Sequence, residues 1–201
     1  MIKSKSQCTK IHGFLDTMKA RRSNYVVENK PVLSDDALIG FVTDCLENAP
    51  SSFNYKTQRV MILFNDQHTK LWKIIKDALP PDGKDRINMF AKAYATILFF
   101  VDDDVVDRLA KAFPRYGLPA FADWELQANA MFQFEVWTGL SNLGYGVNIQ
   151  HYNNLVQEEM VKTFGAPKQW KLIAEMPIGK SMGIYPKLEP YSKDVKVLIR
   201  K

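Results

Sequence analysis

Two short apolar runs constrain this chain more than anything else in it. Arg59-Val-Met-Ile-Leu-Phe64 and Thr96-Ile-Leu-Phe-Phe-Val101 lack polar alternation, which predicts strands buried on both faces. Such strands need helices above and below the sheet, and the flanking segments read as helices. The clearest start is Ser34 as N-cap, with Asp35 and Asp36 in the first turn and an apolar face of Leu38, Val42, Cys45 and Leu46; Pro50 closes it. Further helices are predicted over about 4–21, 66–79, 86–93, 119–143 and 155–164, with one opening at Asp102-Asp103-Asp104. Strands are predicted after Gly144, at 170–176 and at 194–199. Helices and strands alternate through the middle, so the reading is one three-layer α+β domain over residues 1–201. The longest helix carries Trp124, Met131, Phe134, Trp137 and Leu140. That breadth implies burial on more than one side, inside the monomer or against a partner.

Composition removes several classes of function. At 46% hydrophobic and 24% charged, the 201 residues match an ordinary globular chain. The longest apolar run, Ala95–Val101, is far too short to span a bilayer. The N-terminus shows no signal-peptide pattern, so a cytoplasmic location and no membrane partner are expected. Cys8 and Cys45 make neither a disulfide framework nor a metal pattern, and Cys45 reads as a core thiol. The net charge of +5 comes from scattered basic residues rather than a stripe interleaved with aromatics. A small phosphorylated ligand fits that excess better than nucleic acid.

Three segments carry candidate binding chemistry, each with a plainer rival. Arg21, Arg22 and Ser23 suit a phosphate, because guanidiniums fork their donors onto anionic oxygens; a helix C-terminus also favours cations. Pro50-Ser51-Ser52-Phe53-Asn54 holds short polar groups open, as routine loops also do. Leu143–Asn153 (LGYGVNIQHYN) places two glycines before an alternating strand. The glycines allow close approach of a flat ligand or positive φ, and a C-cap followed by a bulge serves equally. Alternation sends Asn148 and Gln150 to one face and Ile149 and His151 to the other. Three acids entering a helix at Asp102 are explained by its dipole. His12, His68 and His151 lack ligand spacing, and there is no nucleophile elbow, Walker loop or GxGxxG.

In this order, the segments ARRSNY (20–25), LSDDAL (33–38), APSSFN (49–54) with Arg59-Val60, FFVDD (99–103), FEVWTGLSNLGYGVNIQHYN (134–153) and WKLIAEMPIGK (170–180) resemble the nitroreductase-like flavoprotein family. The resemblance is to its fatty-acid-repression-mutant-like and copper-induced nitroreductase subgroup, and LGYGVNIQHYN is its most specific part. It implies a three-layer fold with a mixed, mainly antiparallel central sheet flanked by helices. It implies a homodimer with FMN at the subunit interface, reducing nitro compounds or quinones with NADH or NADPH by a ping-pong mechanism. A flavin-binding redox sensor with little turnover is the alternative. On that pattern Arg21, Arg22 and Ser23 take the FMN phosphate and nearby polar atoms. Pro50, Ser51, Ser52 and Asn54 reach the flavin from the other subunit. Gln150 and His151 pass along the isoalloxazine, with a backbone N–H near N5 and no catalytic part for the His151 ring. Lys187 completes the phosphate site. Three departures stand out: Lys56 where the family commonly has Gln, Asp194 where the subgroup has Arg (with Lys193 or Lys196 as substitutes), and Asn154 where it often has Pro.

Overall fold

The second apolar run becomes the centre of the sheet. In the computed structural model, which describes residues 5–187 and 198–200, β3 (Ala95–Asp102) is buried at every position. It pairs antiparallel with β2 (Gln58–Phe64) on one side and β5 (Trp170–Ser181) on the other. β5 also carries β1 (Val27–Glu28) and β4 (Tyr145–Val147), again antiparallel. The mixed character expected of the sheet comes down to one parallel bridge, Ser23 to Val147.

Alternation along β3 explains the layers. Ala95, Ile97 and Phe99, with Met176 and Ile178 of β5, meet Leu38 and Val42 of α2 (Asp35–Asn48) and Phe132 and Val136 of α6 (Gly117–Asn142). Leu98 and Phe100 meet Leu71, Trp72 and Ile75 of α3 (Asn65–Ala78), Phe90 of α4 (Lys84–Phe90) and Val156 of α7 (Asn153–Lys162). Helices therefore cover both faces, and the three-layer α+β architecture follows. α1 (Lys5–Ala20) and α5 (Asp103–Ala112) complete the helices of the described residues.

The start signals behave as their chemistry requires. Ser34 Oγ accepts from Ala37 N at 3.3 Å, a cap worth about 1 kcal/mol. Asp102 caps α5 by accepting from Val105 N at 3.4 Å, and it pairs with Arg59 at 2.9 Å. Its carboxylate thus has a structural part at the end of β3. His68 is a core residue, its Nδ1 2.8 Å from the Thr96 hydroxyl, which also accepts from Trp72 Nε1 at 2.8 Å. Burial pushes its pKa down to about 4, so the ring is neutral.

Some expectations need correction. Arg59–Phe64 was expected to be buried on both faces, but most of β2 is only half-buried. Among the described residues it is an edge strand of the sheet, paired on one side only, by β3. The strand expected at 170–176 runs on to Ser181, where β1 and β4 pair with its end. The strand expected at 194–199, with Lys193, Asp194 and Lys196, lies outside the described residues except for 198 and 199, which take no regular structure.

Candidate functional site

The end of α1 and the strand after α6 are laced together. Ser23 bridges Val147, and Asn24 N donates to Val147 O at 2.9 Å. Asn148 Nδ2 returns a bond to Asn24 O at 2.9 Å, and Gln150 Nε2 donates to Asn148 Oδ1 at 2.8 Å. Asn148 and Gln150 thus share a buried face, while His151 is exposed, as alternation required. Two of the three candidate segments, Arg21–Ser23 and Gln150–His151, therefore occupy one place.

The glycines of that strand separate in purpose. Gly144 adopts φ 99° and its N–H donates to Ser141 O at 3.2 Å, so it ends α6 as a left-handed cap. Gly146 has ordinary φ, but a Cβ there would lie 2.4 Å from Val27 Cγ1 and 3.1 Å from Asn24 Nδ2. The close approach it permits is to the neighbouring chain segment, not to a flat ligand. That corrects the ligand reading of this glycine. The backbone further on is open. Gln150 N donates to Glu175 O at 2.7 Å, and Glu175 N to Gln150 O at 3.0 Å. Antiparallel pairing turns alternate amides outward, and the N–H groups of Ile149 and His151 find no acceptor among the described residues.

Arg21 and Arg22 sit beside this strand. With Ser23, Tyr25 and Pro186 they line a cleft of about 340 Å³. The Arg21 guanidinium lies 4.2 Å over the Trp137 ring, and Arg22 donates to the Pro186 carbonyl at 2.5 Å. Among the described residues neither has a carboxylate partner. Burial, then the neighbouring Arg22 charge, holds the Arg21 pKa below its ordinary value. Two adjacent guanidiniums make this cleft electropositive, with chemistry that suits an anion. Lys187 is exposed and does not line the cleft; its neighbour Pro186 does. Trp137 and Pro186 escaped the sequence reading, since an indole on an apolar helix face reads as core and a lone proline as loop.

The loop Pro50–Asn54 is elsewhere. Phe53, Asn54 and Lys56 all adopt left-handed φ, at 51°, 58° and 54°, which is strained for residues other than glycine. Phe53 is half-exposed and stacks on Phe113 with centroids 4.1 Å apart. Ser51 Oγ accepts from Lys56 N at 3.0 Å, and Lys56 Nζ donates to Glu47 O at 2.8 Å. The unusual lysine therefore places its charge at the C-terminal end of α2, a favourable position. Ser51, Lys56 and Arg59 help line a second cavity of about 300 Å³ that shares no residue with the arginine cleft. Within one chain the two halves of the candidate site stay apart.

The sequence and the fold both resemble those of known proteins. Over 173 residues the chain is 29% identical to the nitroreductase FRM2 of Saccharomyces cerevisiae, a match spanning 83% of this chain and 87% of that protein. Its structure is similar to that of the nitroreductase CinD from Lactococcus lactis in complex with chloramphenicol, at 29% identity and a TM-score of 0.86, covering 94% of this chain and all of that one. A Desulfovibrio desulfuricans protein solved with FMN shares the fold at 14% identity and a TM-score of 0.71, covering 93% and 96% of the two chains. The family model for nitroreductases matches residues 18–180. By that match, the chain belongs to the nitroreductase family.

Proposed function

We propose that the protein is an FMN-dependent oxidoreductase that takes electrons from NADH or NADPH and passes them to nitroaromatic or quinone-type acceptors. The observation that carries this reading is the arginine cleft: two guanidiniums without carboxylate partners among the described residues, laced by hydrogen bonds to a strand with outward N–H groups. These residues fit a phosphorylated flavin. Arg21, Arg22 and Ser23 would hold the phosphate and nearby polar atoms, and the Trp137 ring orients Arg21. The outward amides of Ile149 and His151 would face the isoalloxazine edge, while Gln150 is committed to Glu175 and Asn148. His151 would present its backbone rather than an acid or base. Lys187 would approach the phosphate from beside Pro186.

A flavin held there would supply the redox chemistry, hydride acceptance and onward electron transfer. The chain's own part is to bind, orient and exclude water. That division explains why no nucleophile or titrating pair emerges from the cleft. Both substrates would use one open face in turn, which gives ping-pong kinetics. Pro50, Ser51, Ser52 and Asn54 would serve the flavin of the partner subunit. Their separation from the arginine cleft within one chain supports that assignment, as do Leu126, Met131 and Phe134, exposed on α6.

The test is spectroscopic. Purified protein should show a flavin band near ~450 nm that bleaches promptly with NADH or NADPH under anaerobic conditions. Arg21→Ala should lose the flavin on purification, and a variant as yellow as wild type defeats the phosphate assignment. A band that persists with both nucleotides replaces the reductase with a redox-sensing binder.

A further inference from the structure

The loop that begins at Ser51 is held by a side chain with no evident reason to be acidic. Glu125, in the middle of α6, is fully buried. Its Oε1 accepts from Ser52 N at 3.1 Å, at the entry to the loop. Its Oε2 accepts from Thr57 Oγ1 and, at 3.3 Å, from Gln58 Nε2, both at the exit. One carboxyl group thus clamps both ends of the segment 52–57. Taking three donors and giving none is an acceptor-only pattern. Among the described residues it has no Lys or Arg partner. A cation-free acid is a poor way to fill a helix–sheet interface, where an apolar side chain would pack as well.

The clamp continues as a ladder along α6. Gln58 Oε1 accepts from Asn129 Nδ2 at 2.5 Å, and Asn129 Oδ1 accepts from Gln133 Nε2 at 2.6 Å. Glu125, Asn129 and Gln133 recur every four residues, so they share one helix face and hold each other's rotamers. Between the clamped ends lie the left-handed residues Phe53, Asn54 and Lys56. Strained backbone persists only where its surroundings over-determine it. Here the surroundings are Glu125 at the base and the Phe53–Phe113 stack at the tip.

We propose that Glu125 is the positioning residue of the 51–56 loop, fixing the shape in which Ser51, Ser52 and Asn54 are presented to the flavin. The shape belongs to this chain alone; the flavin rests on the function proposed above. The carboxyl group acts through the Ser52 backbone N–H and the side chains of Thr57 and Gln58.

Full-length wild type, Glu125→Ala and Glu125→Gln separate the possibilities, read by hydrogen exchange across the chain and by FMN affinity from flavin fluorescence. Glu125→Ala should speed exchange in the 52–57 peptide while peptides from α3 and β3 stay protected. It should also weaken FMN binding by roughly tenfold or more, through loss of the hydrogen bonds that hold the loop. Glu125→Gln keeps one acceptor oxygen for Ser52 N and should recover most of both effects. Should Glu125→Ala not fold, Thr57→Val removes one exit bond and should speed exchange in the same stretch. Wild-type exchange at 52–57 in Glu125→Ala overturns the proposal, as does an equal rise in every peptide. If wild type binds no FMN, the flavin reading fails, and the exchange pattern still decides whether Glu125 sets the loop.

Discussion

Replacing Glu175 with glutamine should stabilise the protein at alkaline pH and leave it nearly unchanged near pH 4.5. Glu175 is fully buried in β5; its Oε2 accepts from Tyr152 N at 2.8 Å, and its Oε1 has no partner among the described residues. Burial raises its pKa from 4.5 to about 7, against the opposing pull of the backbone N–H bonds it accepts. The folded state therefore holds this proton more tightly than the unfolded chain. Stability is fully present below pH 4.5 and is lost as pH rises toward 7, by about 3 kcal/mol in total. His68 works the other way. Its pKa falls from 6.5 to about 4 through burial, so stability is lost as pH drops through that window, again by about 3 kcal/mol. The two slopes nearly cancel, so together they give wild type an almost flat profile between pH 4.5 and 8. Glutamine keeps an acceptor for Tyr152 N and puts its amide where Oε1 already lacks a partner. Glu175→Gln should then gain about 3 kcal/mol at pH 8, roughly 6–12 °C in Tm for a chain of this size. It should also acquire the His68 slope, losing stability on acidification. Urea melts of both proteins at pH 5 and pH 8 measure this. An equal effect of the substitution at both pH values would show that Glu175 does not titrate in this window and refute the reasoning.

Gly146→Ala should destabilise by about 1–3 kcal/mol, because the new methyl meets Val27 at 2.4 Å; a chemical melt unchanged from wild type contradicts the packing account. Cys45, whose pKa burial lifts to about 11, should react far more slowly with iodoacetamide at pH 8 than an exposed peptide thiol; matched rates sink the core assignment. Arg59→Met leaves the Asp102 carboxylate buried without its 2.9 Å partner and should cost about 3 kcal/mol near neutrality. Adding Asp102→Asn, which removes the stranded charge and keeps an oxygen for Val105 N, should recover much of the deficit; a deficit unchanged in the double variant would place it elsewhere.

What the sequence discloses about the fold depends on whether the signal is local. Thr96–Val101 reads correctly because a strand covered on both faces leaves no polar alternation, and β3 is covered on both faces. Ser34 reads correctly because a cap and its donor, Ala37 N, lie three residues apart. The similar-looking run at 59–64 misleads. Its side chains match those of a central strand, yet its place at the sheet edge is set by pairing with residues 95–101, and composition does not encode pairing.

The candidate site divides along the same line, and the division bears on how it works. Arg21 and Arg22 are legible as cations, but what they pack against depends on where Trp137 and Pro186 arrive from remote parts of the chain. Glu125 is invisible to motif reading because its partners, Ser52, Thr57 and Gln58, are some seventy residues away, and an acid on a long helix reads as solvent-facing. In each case the residue type that would touch a ligand is legible, and the group that aims it is not. On the function proposed above that asymmetry matters, because a bound flavin would carry the chemistry and the protein would contribute placement. On the same proposal, Arg21–Ser23 and the 50–54 loop would face the ligand. The side chains behind them are fixed by contacts within the protein: Trp137 lies against Arg21, Glu125 holds the entry to the loop, and Glu175 pairs with Gln150 in the strand between.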